Sequence, residues 1–460
     1  MAMALLGYLQ QQQQLLVVHG TVAAQPLLLL LLSHGRDGLL LLHLGSAPTL
    51  VVSSPSAAEA VLRTHDHVLA SRTWSPVADI IFYGLTDVAF APYGERWRQA
   101  RKLLTTHMLS AKKVHSFRHG RLEEVRVVLA RIRDAAATAP RTVVDMTGLL
   151  GGYTNDVVSR AVLGESHREG GRNRLFGELS EINVSLLLAK LELLRKLICA
   201  KAKRVHRRWD QLFDKLIDEH QRERKRASSS QHEQQEEITD QDFIHVLLSV
   251  REEYGLTMDG VKAILVDMFE AGIETAHLVL DYAMAELMIN KHVMTQLQKE
   301  VRRCAPAGND MVVMEEDLSN MAYLKAVVKE TLRLHPPVPL LVPHLSIADC
   351  EVNGYPVPSG TRVFVNVWSL GRDPEFMPER FLEGGCAADV DMKGKDFQFL
   401  SFGSGRRICP GINFGVATVE IMLANLMYHF DWDLQDDMTE LFGLTLRRKE
   451  KLILVSKVST

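Results

Sequence analysis

Residues Phe402 to Gly411 read F-G-S-G-R-R-I-C-P-G and set Cys409 among glycines and arginines, just before an apolar helical stretch. A cysteine thiolate bound to haem iron pushes electron density towards the metal and favours cleavage of an O–O bond. The neighbouring residue types suit that task. Gly405 and Gly411 permit turn geometry and close approach to a flat ring. Phe402 can shield the sulfur from water, and backbone N–H groups near Cys409 can hold its charge. Arg407 can pair with a haem propionate through charge-assisted hydrogen bonds. The helix expected over Ile412 to Leu426 turns its positive end to the thiolate. The plainer alternative is a glycine turn carrying a buried cysteine.

A second constellation lies upstream. Thr257 to Ile289 has the pattern of one long helix, roughly 50 Å at 1.5 Å per residue, with Thr257 or Asp259 as its cap. Its middle, A-I-L-V-D-M-F-E-A-G-I-E-T-A, is apolar around much of its circumference and belongs in a core. Gly272 there costs about 1 kcal/mol relative to Ala, and Glu274 is an acid that needs a partner or a raised pKa. With Ala271, Gly272 would let a flat group approach the backbone, and Thr275 can bond back to the Ala271 carbonyl. Glu274 and Thr275 form an acid–alcohol pair able to pass protons during oxygen activation. Alone, the segment also fits a packed core helix with a solvated glutamate. Beside Cys409, the chemical reading prevails.

Composition bounds what can hold these residues in place. The chain is 47% apolar and 24% charged, enough for a large core around a cofactor, and no Pro/Gly-rich linker divides it. A net charge of −3 offers no basic excess for nucleic acid. Five dispersed cysteines fit free thiols rather than a disulfide framework. Leu39 to Val52 and Val352 to Val367 read as short strands, Ser56 to Thr64 as a short helix, Lys201 to Lys225 as an amphipathic helix, and Ala227 to Glu237 as a loop. The fold class is therefore mainly α with small β-sheets, in one large domain over residues 35–460. Residues 1–34 form a divergent segment whose leucine run, Leu27 to Leu32, is too short to span a bilayer. His115 and His119 have i,i+4 ligand spacing, but without a third ligand they read as an exposed helix face.

The ordered set of motifs resembles the cytochrome P450 haem-thiolate monooxygenases, closest to the plant branch acting on specialised metabolites. The cysteine segment matches at Phe402, Gly405, Arg407, Cys409 and Gly411, and Ala271 to Thr275 matches the oxygen-activating segment. Glu330-Thr331-Leu332-Arg333 resembles the structural E-x-x-R helix, and Pro378-Glu379-Arg380-Phe381 the P-E-R-F motif whose arginine completes the ion network. Trp97 and Arg101 resemble the helix that grips the propionates. The resemblance implies the P450 fold enclosing haem b, with Cys409 on the iron. It also implies electrons from an NADPH-dependent reductase, docked near Arg98, Lys102 and Arg406, and a site on the cytosolic face of the endoplasmic reticulum membrane. The substrate would be a small apolar secondary metabolite, contacted by the loop Trp74 to Phe90, Met268, Phe269, Val338 to Leu341 and Leu444.

Four features depart from the family, the first being that no membrane anchor or proline-rich hinge is expected before Gly35. Val184 to Cys199 is short where an entrance loop is usual, and Arg372-Asp373-Pro374 runs almost directly into P-E-R-F. His344 stands where an arginine commonly helps hold a propionate, as a pH-dependent substitute. The shortenings leave open a non-catalytic or unstable haem-binding variant; a second enzyme reading, a haem-thiolate isomerase or dehydratase using no external oxygen, is opposed by the intact Glu274-Thr275 pair.

Overall fold

The computed structural model describes residues 37–44, 47–138, 142–164, 192–229, 241–305, 312–371, 374–434, 440–442 and 445–458. Within them, helices of eight residues or more run over Glu95–Leu103 (α1), Arg118–Thr138 (α2), Met146–Leu163 (α3), Glu192–Ser229 (α4), Phe243–Val250 (α5), Met258–Ile289 (α6), Lys291–Cys304 (α7), Ala322–Leu334 (α8) and Ile412–His429 (α9). The central member is α6. Thr257 caps it by accepting the Gly260 N–H at 3.0 Å, as its position predicts. Most of its residues are buried, and it packs against α3, α8 and α9. That explains why its apolar pattern wraps most of the circumference rather than forming one stripe.

A five-stranded sheet stands beside the helices. Leu39–Leu44 (β1) pairs antiparallel with Ala47–Val52 (β2), which runs parallel to a strand over Arg362–Val365. That strand pairs in turn with His344–Leu345, and the latter with Ser71–Arg72 at the far edge. The sheet brings Arg72 and His344, residues far apart in sequence, opposite each other in register. Ala227 to Ser229 lie within α4, so the helix runs further than the expected loop boundary; the rest of that loop lies outside the described residues. Residues 1–34, most of the shortened entrance stretch, Arg372, Asp373 and Leu444 also lie outside them. His115 and His119 do not share a helix, because one helix ends at Ser116 and α2 begins at Arg118.

The ion network that the short stretch before P-E-R-F might have disturbed is closed. Glu330, fully buried, accepts Arg333 Nε at 2.7 Å and Nη2 at 2.8 Å, and Arg380 Nε at 3.1 Å. The Met377 amide adds a bond at 2.7 Å. The Glu375 carbonyl accepts from Arg333 at 3.0 Å and from Arg380 at 3.1 Å. Backbone on both sides of the shortening, Gly371 before it and Glu375 beyond it, thus accepts from these guanidiniums.

Candidate active site

Between α6 and the segment preceding α9 lies a cavity enclosing about 1320 Å³ of empty space, part of it open to solvent. Its wall brings together Trp97, Arg101, Ala271, Thr275, Phe402, Arg407 and Cys409, residues spread over more than 300 positions. Cys409 is held by its own loop: its amide donates to the Phe402 carbonyl at 2.9 Å, and the Gly411 amide donates to its Sγ at 3.3 Å. Burial pushes the thiol pKa up, while the Gly411 amide and Arg101 act against that. A metal cation at the sulfur would complete the displacement of the proton.

Three guanidiniums share the wall. Arg101 donates to the Ile408 carbonyl at 2.5 Å. Arg407 donates to Ala70, Val88 and Ala91 carbonyls at 2.7, 3.1 and 2.6 Å and stacks over Trp97 at 4.3 Å. Trp97 donates its own Nε1–H to the Val88 carbonyl at 3.0 Å. The third, Arg72, is fixed by the Ala89, Val342 and Pro343 carbonyls at 2.9, 2.6 and 3.2 Å. Burial lowers the pKa of Arg407 to about 10, and burial plus Arg407 lowers that of Arg72. Like charges crowded into one apolar wall call for an anion with two or more acceptor groups, and the propionates of haem answer that need. The residues present therefore fit haem.

Several expectations are corrected by this geometry. His344 cannot act as a cationic substitute: it is buried, its Nδ1 is bonded to the Leu69 carbonyl at 2.9 Å, and burial beside Arg72 and Arg407 drives its pKa well below the usual value. Arg72 supplies the cation instead. Its sequence signal is a lone arginine closing the apolar run V-L-A-S. Gly272 lies outside the cavity wall, and its missing Cβ is used by α3, where an added methyl would sit 3.0 Å from Val158 Cγ2. Gly405 (φ +65°) has the left-handed backbone, and a Cβ there would meet the Leu62 carbonyl oxygen at 2.3 Å. Its role in close packing is towards Leu62 and Asp66.

The acid–alcohol pair divides between two cavities. Thr275 Oγ1 donates to the Ala271 carbonyl at 2.6 Å, as expected, and lines the cavity of Cys409. Glu274 does not line it. Its carboxylate accepts Thr445 Oγ1 at 2.8 Å and Arg447 Nε at 2.7 Å, and borders a separate cavity with His277 and Asp281. The acid in the wall of the Cys409 cavity is Asp267, two turns earlier on α6. Burial and the neighbouring Asp87 raise its pKa well above the carboxylate range, and it accepts the Val88 amide at 2.7 Å. The reasoning that singles out an acid on an apolar helix applies to Asp267 as fully as to Glu274.

Of the candidate substrate contacts, Val88, Ala89, Met268, Val338 and Leu341 line this cavity. Leu341 does so with a strained φ of +52°. Phe269 instead packs in an aromatic cluster, 5.5 Å from Trp209, and Trp74 is 61% exposed.

A family model described as "Cytochrome P450" matches residues 32–455. Similar proteins include an indolin-2-one monooxygenase of Zea mays, 60% identical over 93% of this chain and 83% of that enzyme. A 3-hydroxyindolin-2-one monooxygenase of Zea mays is 57% identical over 92% and 83%. Among solved structures, a zebrafish cytochrome P450 with abiraterone superposes with a TM-score of 0.75 at 24% identity, covering 94% of this chain and 98% of that one.

Proposed function

Since the chain belongs to the cytochrome P450 family and is a haem-dependent monooxygenase of the plant secondary-metabolite type, we propose that it hydroxylates a planar bicyclic substrate of the indole and indolin-2-one class. The observation that supports this most directly is the cavity wall. Ala271, Val279, Val338, Leu341 and Val416 give it apolar faces, and Asp267, its pKa raised by burial and Asp87, adds one polar group to face a ring carbonyl or N–H. Relatives at 60% and 57% identity are named for indolin-2-one and 3-hydroxyindolin-2-one, which carry both groups.

Haem, when bound, would supply the oxygen-activating chemistry, in which O2, two electrons and two protons are consumed, one oxygen atom enters a C–H bond and the other leaves as water. This chain's residues do the rest. Cys409 would hold the iron, and Arg72, Arg101 and Arg407 would hold the propionates, with Trp97 stacked against the Arg407 guanidinium to position it. Thr275 keeps a hydroxyl at the cavity face. Glu274, bonded to Thr445 and Arg447, borders the separate cavity behind that turn of α6. Glu330, Arg333 and Arg380 fix α8 against the strand of chain that leads to Cys409.

Electrons come from an NADPH-dependent reductase docking on the Cys409 side, where Lys102 is exposed, Arg98 pairs with Glu95, and Arg406 is held by Asp66 at 2.7 Å. No helix of the described residues is long and apolar enough to cross a membrane. Placement at the cytosolic face of the endoplasmic reticulum follows from family resemblance. Titrating the ferric protein with indolin-2-one should shift the Soret band to the high-spin position, and reductase, NADPH and O2 should yield a hydroxylated product. No shift and no product with indole or indolin-2-one would overturn the substrate assignment.

A further inference from the structure

Away from the Cys409 cavity, a second set of ligand-type side chains converges where α4 meets α5. His220 of α4, Asp242 at the cap of α5 and His245 in its first turn place one ligand atom each within 4.8 Å of one another. His220 Nε2 lies 3.1 Å and His245 Nδ1 2.8 Å from the same carboxylate oxygen, Asp242 Oδ2. The other oxygen, Oδ1, accepts the His245 backbone N–H at 2.8 Å, so the cap fixes the carboxylate's direction. His220 and Asp242 are buried, and the two imidazoles stand 4.6 Å apart.

The orientation of His220 fits a ligand. Its Nδ1 is 2.7 Å from the Leu216 carbonyl, which can only accept, so Nδ1 carries a hydrogen and Nε2 faces the shared carboxylate oxygen. A proton on Nε2 or a bound cation satisfies that pair. Donating the far N–H to a backbone carbonyl is the arrangement that orients a metal-ligating histidine. The donor separations also suit a metal. Bonds of about 2.0–2.1 Å put neighbouring ligands about 2.9 Å apart in octahedral and about 3.3 Å apart in tetrahedral geometry, and the observed 2.8 and 3.1 Å fall near that range. Lys113 donates to the Gln241 carbonyl beside the cluster.

We propose that His220, Asp242 and His245 form a binding site for one divalent transition-metal ion, zinc foremost, that ties α4 to α5. Two imidazoles and one carboxylate are ligands zinc accepts without geometric preference, leaving a fourth position for water. The ion would anchor the end of the long helix α4 to the start of α5, independently of haem and of the monooxygenase reading.

The test uses the tag-free holoprotein, stripped with a chelator and dialysed against buffered zinc at about 1 µM free ion, with metal counted by mass spectrometry. The expected result is one zinc per haem and a higher melting temperature. His220→Gln and His245→Gln should each cut zinc uptake by about tenfold or more, with haem content unchanged. Zinc uptake no greater than that of the double variant would overturn the proposal. Should the variants fail to take up haem, X-ray absorption at the zinc edge of the unaltered protein decides. Imidazole and oxygen ligands at about 2.0–2.1 Å support the site; sulfur ligands at about 2.3 Å, or no bound zinc, refute it.

Discussion

At the residue scale, the account rests on side chains whose backbone settings leave little freedom. Cys409 is fixed by the Phe402 carbonyl and the Gly411 amide, and the sulfur faces the cavity that Thr275 borders from α6. Thr275→Ala removes the cavity hydroxyl while sparing the helix, so turnover should fall by about 10²-fold and more NADPH should end as hydrogen peroxide. Product and peroxide yields per NADPH measure this; unchanged yields would remove Thr275 from proton handling. Arg72→Met takes away one of three guanidiniums but keeps the stem's packing. Haem transfer to apomyoglobin should accelerate, whereas the same change at exposed Arg98 should leave it unaltered. The cysteine loop was readable from sequence because each residue type there has a local task. Arg72 was not, since its partners, Ala89, Val342 and Pro343, come from segments up to 271 positions away.

At the element scale, α6 shows what periodicity reveals and what it conceals. Its cap at Thr257 and its end at Ile289 are written in the sequence. Which face meets which cavity is not, because a helix apolar nearly all round carries no angular marker. Hence Glu274 and Gly272 turned away from the Cys409 cavity, while Asp267 lines it. Helix α8 carries the buried network. Glu330→Ala would strand Arg333 and Arg380 in a dry site and should cost about 3–5 kcal/mol in denaturant unfolding of the holoprotein. At the end of α9, the His429 ring accepts from Arg133 at 3.0 Å, and burial together with Arg133 lowers its pKa from 6.5 to about 4. The folded state then binds fewer protons than the unfolded chain between these values, so stability is lost as pH falls from about 6.5 to about 4. His429→Gln should flatten that part of the stability–pH curve by about 1–2 kcal/mol.

At the scale of the whole molecule, the shortened stretch before P-E-R-F and the intact ion network have to be reconciled. They are, because the carbonyl of Glu375 and the amide of Met377 lie beyond the shortening and still reach Arg333, Arg380 and Glu330. The fold therefore delivers Cys409 to the cavity facing α6, as motif order alone suggested, although the sheet register that pairs Arg72 with His344 had no sequence signal. All of this converges on a cysteine thiolate as the iron ligand in a largely apolar cavity. The most direct measurement is the absorption spectrum of the dithionite-reduced, carbon monoxide-treated protein. The account predicts a strongly red-shifted Soret band that disappears in Cys409→Ser. A band at the position of a histidine-ligated haem, or a red-shifted band that survives the substitution, would contradict it.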